Sequence, residues 1–152
     1  MLQGHPSMNR CPGIDISTGS LGQGLACAVG MAMAGKMDHK DYKVFCVVGD
    51  GEAQEGEIWE AANTAHKYGL DNLIVFVDYN NLQLDGHSME EIVACIDKCY
   101  ASKNGKPKCL YAHTVKGKGV SFMENQCGWH GVAPNDEQYA QAMAELKAQL
   151  ID

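Results

Sequence analysis

Short, continuously apolar runs alternate along the chain with stretches whose apolar residues recur at helical spacing. Val44-Phe45-Cys46-Val47-Val48 and Leu73-Ile74-Val75-Phe76-Val77 read as strands, and residues 108–115 as a third. Residues 25–34 are small and apolar nearly all round, which predicts a buried helix packed tightly on a neighbour. Residues 55–68 predict a second helix with an apolar stripe of Ile58, Trp59, Ala62 and Ala65, ended by Gly69. Residues 89–101 predict a third, with Ile92, Val93, Ile96 and Tyr100 on one face. Asn135 is placed to cap a last helix over 137–150. Residues 1–20 and 120–134 are rich in loop formers, and Lys116-Gly117-Lys118-Gly119 reads as a turn. Uninterrupted apolar strands alternating with helices predict an α/β fold whose mainly parallel sheet carries helices on both faces.

Both early strands finish in a polar turn that carries an oxygen ligand. The first ends in Gly49-Asp50-Gly51 and the second in Asp78-Tyr79-Asn80-Asn81. The chain between Asp50 and Asn80 suffices for a turn, a helix and one more strand, which is one right-handed crossover placing the two loops side by side. Ligands of such sheets bind beyond the carboxyl ends of the strands. Asp50 and Asn80 can then share a hard cation, the Leu82 carbonyl can join them, and Gly51 can let a diphosphate approach the backbone. Mg²⁺ takes six oxygens at about 2.1 Å, and this donor set suits it. The arrangement is the one expected of a Mg²⁺–thiamine diphosphate site. A lone Gly-Asp-Gly is a common turn; the strand before it, the helix after it and the second ligand loop make the pattern specific.

Composition narrows the partners. A net charge of −7 argues against nucleic acid, whose phosphates need Lys/Arg patches. No apolar stretch reaches the length of a membrane span, and no signal peptide is seen at the start. Seven cysteines without a CxxC pair suit a reducing, cytoplasmic setting. Cys27 and Cys46, inside apolar segments, read as core. At 152 residues, a chain of this kind buries roughly 70% of its unfolded surface as one domain, here 1–152.

Gly4-His5-Pro6, Thr18-Gly19-Ser20-Leu21-Gly22-Gln23-Gly24, Gly49-Asp50-Gly51 with Gln54-Glu55-Gly56, Asn80 to Leu82 with Asp85-Gly86, and His130-Gly131-Val132-Ala133-Pro134 carry a resemblance. Over nearly its whole length the chain resembles the diphosphate-binding domain of transketolase, most closely the amino-terminal subunit of the split type. The resemblance implies a three-layer thiamine-diphosphate-binding fold, with thiamine diphosphate and Mg²⁺ (or Ca²⁺) as cofactors. It implies Asp50, Asn80 and the Leu82 carbonyl as metal ligands. Gly19, Leu21, Gly49, Gly51 and Asn80 become cofactor contacts, with Leu21 against the aminopyrimidine. His5 corresponds to the histidine that touches the ketose donor, His130 to an active-site histidine near diphosphate and substrate, and Glu55 to an acid at the dimer interface.

The pattern also departs from the family. The family's N-terminal extension precedes Gly4, and Gly86-His87-Ser88 fuses two Asp-Gly sites that a further loop, helix and strand normally separate. The glutamate that activates the cofactor lies in the family on a pyrimidine-binding domain that nothing here matches. The resemblance therefore implies a partner, a C-terminal subunit with that domain, in a homodimer or heterotetramer acting on sugar phosphates. The implied reaction is transfer of a two-carbon ketol unit from a ketose phosphate to an aldose phosphate. Other thiamine-diphosphate components, of the deoxyxylulose-phosphate synthase or keto-acid dehydrogenase type, are the rival enzymes. A catalytically incomplete homologue that only binds a partner is the rival of another class.

Overall fold

The computed structural model describes residues 3–79 and 84–150. Residues 1–113 and 114–152 form two compact units, where one domain over 1–152 is the sequence expectation.

The first unit is a four-stranded, wholly parallel sheet. β1 (Val44–Gly49), β2 (Leu73–Tyr79), β3 (Leu84–Asp85) and β4 (Lys108–His113) lie in the order β1-β2-β4-β3. β3 escapes sequence reading because two residues show no period; it pairs Leu84 with Ala112 and Asp85 with His113. α1 (Gln23–Met37), α2 (Gly56–Lys67) and α3 (Met89–Ala101) supply the helices.

The core sits where α1 and α2 meet alternate residues of the first two strands. Leu25, Ala28, Val29 and Ala32 of α1 pack with Ile58, Ala61 and Ala65 of α2 on Val44, Val48, Leu73 and Val75. Full burial of one such aliphatic side chain is worth about 1.5–3 kcal/mol. The buried stripe of α2 is Ile58, Ala61 and Ala65; Trp59 is 61% exposed and donates its indole N–H to the Ala53 carbonyl at 3.1 Å. The predicted Trp59 and Ala62 positions thus face outward, one step around the helix from the true contact. α1 buries one face rather than its whole circumference, so Cys27 is exposed; Cys46, on β1, is half-buried against the core. Burial, with Glu52 nearby, pushes the Cys46 thiol up to about 11. α3 is capped by Ser88, whose hydroxyl accepts from the Glu91 N–H, but buries none of its residues in this chain.

Lys36, in the last turn of α1, donates to the Gly69 carbonyl at 2.7 Å and pairs with Asp71 at 2.8 Å. This ties α1 to the turn that feeds β2. The Lys36 hydrogen bond holds the Asp71 carboxyl below its usual range. Lowered in the folded state, that group stabilises above the unfolded carboxylate range and loses its contribution as pH falls through the folded value. Asp71→Asn is expected to cost about 0.2–1 kcal/mol at neutral pH, since the pair is more than one-third exposed. Urea titrations should show the gap closing in acid; a gap that persists there contradicts the ion-pair account.

The second unit carries α4 (Asp136–Lys147), opened by a capping box in which Asn135 and Gln138 bond reciprocally. The loop before it is pinned to the helix at Ser121, whose N–H and hydroxyl donate to Glu145 at 2.6 and 2.7 Å. Those bonds, the Ser121 N–H first, hold Glu145 below the usual carboxylate range. Among the described residues, no helix is long and apolar enough to cross a membrane.

Candidate cofactor site

The register of the sheet places the ends of β1 and β2. Gly49 pairs with Asp78, and the Asp50 N–H donates to the Asp78 carbonyl at 3.1 Å. The tips of β1 and β2 therefore stand side by side, with Asp50, Gly51 and Asp78 exposed. The Asp50 Oδ1 accepts the Gly51 N–H at 2.8 Å, which sets the turn.

Glu52 supports this turn, a role the sequence reading missed. Its carboxylate accepts the Gly49 N–H at 3.2 Å and the Gly22 N–H at 2.8 Å. One side chain thus binds the turn after β1 to the start of α1. Gln23 extends the bracing by donating to Glu57 at 2.7 Å. An acid two residues beyond the predicted ligand was the available signal, but its partner thirty positions upstream emerges only in the tertiary structure.

Gly51 shows what this turn is shaped to admit. Its φ of −65° is open to any residue, and a Cβ there would meet nothing within 4 Å. Neither backbone strain nor crowding by the protein calls for glycine. The open space in front of it suits a ligand lying close to the main chain. The surrounding chemistry is acidic, with Asp50, Glu52 and Asp78 within a few residues of one another on adjacent tips. A diphosphate fits beside those carboxylates when a hard divalent cation neutralises it, and oxygen donors of this type suit Mg²⁺ or Ca²⁺.

A cavity of about 910 Å³ collects the amino-terminal candidates. His5, Gly19 and Leu21 line it together with Met31, Phe45 and Glu52. His5 and Gly19 are in contact, because a Cβ on Gly19 would fall 3.2 Å from the imidazole ring. Leu21 is 60% exposed at the cavity wall.

The thiamine diphosphate binding domain of transketolase matches residues 1–91, more than half of the chain. The chain belongs to that family. Thiamine diphosphate is accordingly the cofactor this transketolase domain binds. An apulose-4-phosphate transketolase subunit of Phocaeicola vulgatus is 40% identical, over 99% of this chain and 62% of the relative. The 6-deoxy-6-sulfo-D-fructose transketolase subunit SqwG of a Clostridium species is 39% identical, over 97% of this chain and 63% of the relative. This transketolase domain thus spans less than two-thirds of the length of either. The first alignment runs over 177 positions, more than the 152 residues here, so that relative carries residues within the match that this chain lacks. Among solved structures, the transketolase of Campylobacter jejuni superposes with a TM-score of 0.79 at 31% identity, covering 89% of this chain and 26% of that one.

Within the transketolase domain, Asn80 and Leu82 lie outside the described residues, so Asp50 is the member of the predicted metal set that is placed. Among the described residues, no three His, Cys, Asp or Glu side chains are grouped to hold a metal. Glu55 is exposed at the start of α2, in extended conformation, its Cβ 3.6 Å from where a Gly22 Cβ would stand. His130 belongs to the second unit, where its Nδ1 lies 3.3 Å from the Lys116 Nζ. Lys116 is an exposed turn residue, as its sequence context suggests, and its ammonium also meets a predicted site histidine.

Proposed function

We propose that this chain is the diphosphate-binding subunit of a transketolase that moves a two-carbon ketol unit from a ketose phosphate to an aldose phosphate. A second subunit, carrying the pyrimidine domain, completes the site in a homodimeric or heterotetrameric assembly. The reading is carried above all by the sheet register, in which Gly49 pairs with Asp78 and the Asp50 turn stands at the tip of β1 beside the end of β2.

In this proposal Asp50, the Asn80 amide and the Leu82 carbonyl hold Mg²⁺. Gly49 and Gly51 present backbone to the diphosphate, while Gly19 and Leu21 flank the cofactor along the cavity wall. His5 reaches the ketose near its first hydroxyl. His130, beside the Lys116 ammonium, hydrogen-bonds to phosphate or substrate oxygen. Glu55 stands at the subunit interface and exchanges protons with its counterpart. Bound thiamine diphosphate supplies nucleophilic addition to the ketose carbonyl and carriage of the two-carbon unit. The metal acts as template and charge neutraliser. The two subunit relatives are named for apulose 4-phosphate and 6-deoxy-6-sulfo-D-fructose, which makes anionic ketoses the class to assay. Seven cysteines without a disulfide accord with a cytoplasmic location.

Ketol transfer should appear when the full chain is mixed with a pyrimidine-domain subunit, thiamine diphosphate, Mg²⁺, an anionic ketose and an aldose phosphate. The chain alone should show none, because in this proposal the second subunit brings the activating glutamate. Robust turnover without a second subunit contradicts the proposal, as does turnover confined to pyruvate.

A further inference from the structure

Three of the seven cysteines line one cavity that the cofactor site does not use. Cys95 and Cys99 stand on α3, Cys109 on β4, and Lys98, Lys108 and Leu110 complete much of the wall of a space of about 300 Å³. All three thiols are free, and Cys95 and Cys99 are half-buried.

Cys95 and Cys99 are four residues apart on an intact helix, so their Cβ atoms are separated by about 5–6 Å. A disulfide needs about 3.5–4.5 Å, which this helix does not offer. A metal held in line between two thiolates at about 2.3 Å each sets the sulfurs roughly 4.6 Å apart, against about 2.04 Å in a disulfide, so it bridges a wider Cβ spacing than a disulfide does. The wall holds no carboxylate or imidazole and its one side-chain oxygen is the Ser102 hydroxyl, so hard cations find a poor donor set there. Zinc wants four ligands, and no group of three ligating side chains is arranged for a metal among the described residues. Soft thiolates on their own select copper(I). Two thiolates around a monovalent ion leave one net negative charge, and Lys98 and Lys108 are the cationic residues of the same wall.

We propose that Cys95 and Cys99 form a clamp for a soft, two-coordinate monovalent cation of the copper(I) class. Burial pushes the Cys99 thiol up, Lys108 opposes that shift and Cys95 adds to it, so the two cysteines and the lysine act on one another electrostatically. On binding, two S–H bonds break and two metal–sulfur bonds form. Both protons go to solvent, and no electron changes hands.

Silver(I) is an air-stable probe of this class. The reduced full chain is incubated with one equivalent of silver(I) against a competing monothiol and examined by native mass spectrometry. The second thiol of a clamp acts at an effective concentration in the millimolar range or above. The wild-type chain should therefore retain one ion, and Cys95→Ser and Cys99→Ser should each lower the affinity about tenfold or more. Cys127→Ser, which removes a thiol outside the cavity, should retain the ion. No retained ion in the wild type, or equal retention in the Cys95→Ser/Cys99→Ser double variant, overturns the clamp. Alkylation of the wild-type chain gives a reading that needs no variant. Silver should shield Cys95 and Cys99 and leave Cys127 reactive, and unchanged labelling of the pair would refute the proposal.

Discussion

Asp50→Ala is expected to lower the affinity for thiamine diphosphate in Mg²⁺ by about a hundredfold or more. Partners that merely orient a metal ligand typically cost 10–100-fold when removed, and a ligating carboxylate belongs at or beyond the upper end. A hundredfold is about 2.8 kcal/mol. The carboxylate stands at the tip of β1, fixed by the backbone bond from Asp50 to Asp78 and by the Gly51 N–H on its Oδ1. Asp50→Asn keeps an oxygen for the Gly51 N–H but removes the charge, so it separates loss of the turn from loss of the ion. Calorimetric titration of the chain with its complementing subunit, with and without Mg²⁺, reads the effect. Equal affinity in wild type and both variants would remove Asp50 from the metal.

Gly117→Ala should disrupt the segment that holds Lys116 against His130. Gly117 has a φ of +70°, and a Cβ there would lie 2.5 Å from the Met123 carbonyl oxygen. Left-handed backbone costs an alanine about 1–2 kcal/mol, and forcing an atom into filled space costs about 1–3 kcal/mol more. The obstacle is main chain, so no rotamer change relieves it. The displaced turn includes the Lys118 N–H to Val115 carbonyl bond at 3.1 Å and the Asn125 N–H to Lys116 carbonyl bond at 2.9 Å. Hydrogen exchange over residues 114–150 should speed up by a factor consistent with about 2–5 kcal/mol, while the sheet of the first unit keeps its protection. Unchanged exchange after Met123 would show that the turn absorbs a side chain.

The strands and helices were legible because their signals are local. Continuous apolar runs placed β1, β2 and β4 within two residues of their ends, and Asn135 announced α4 through its own capping chemistry. The inward faces were less legible. Trp59 reads as apolar and turns outward, Cys27 reads as core and is exposed, and on α3 Val93 and Tyr100 are exposed while Ile92 and Ile96 are half-buried. Periodicity says that a helix has an apolar side; which residues are covered depends on the neighbour that arrives. Among the site residues, Asp50, Gly51, His5, Gly19 and Leu21 could be named from their motifs. Glu52 and Lys116 could not, because each acts through a residue far away in sequence.

The sequence by itself determined the alternation of strands and helices, the parallel sheet, the oxygen-bearing turn after β1 and the transketolase family pattern, since all of these are written in residue type and short spacing. Only the tertiary structure decided that Gly49 pairs with Asp78, that His5 lies on Gly19, that Glu52 joins two segments and that three thiols share a cavity. Those are contacts between distant parts of the chain. They depend on how the elements pack, and no local pattern of residues encodes them.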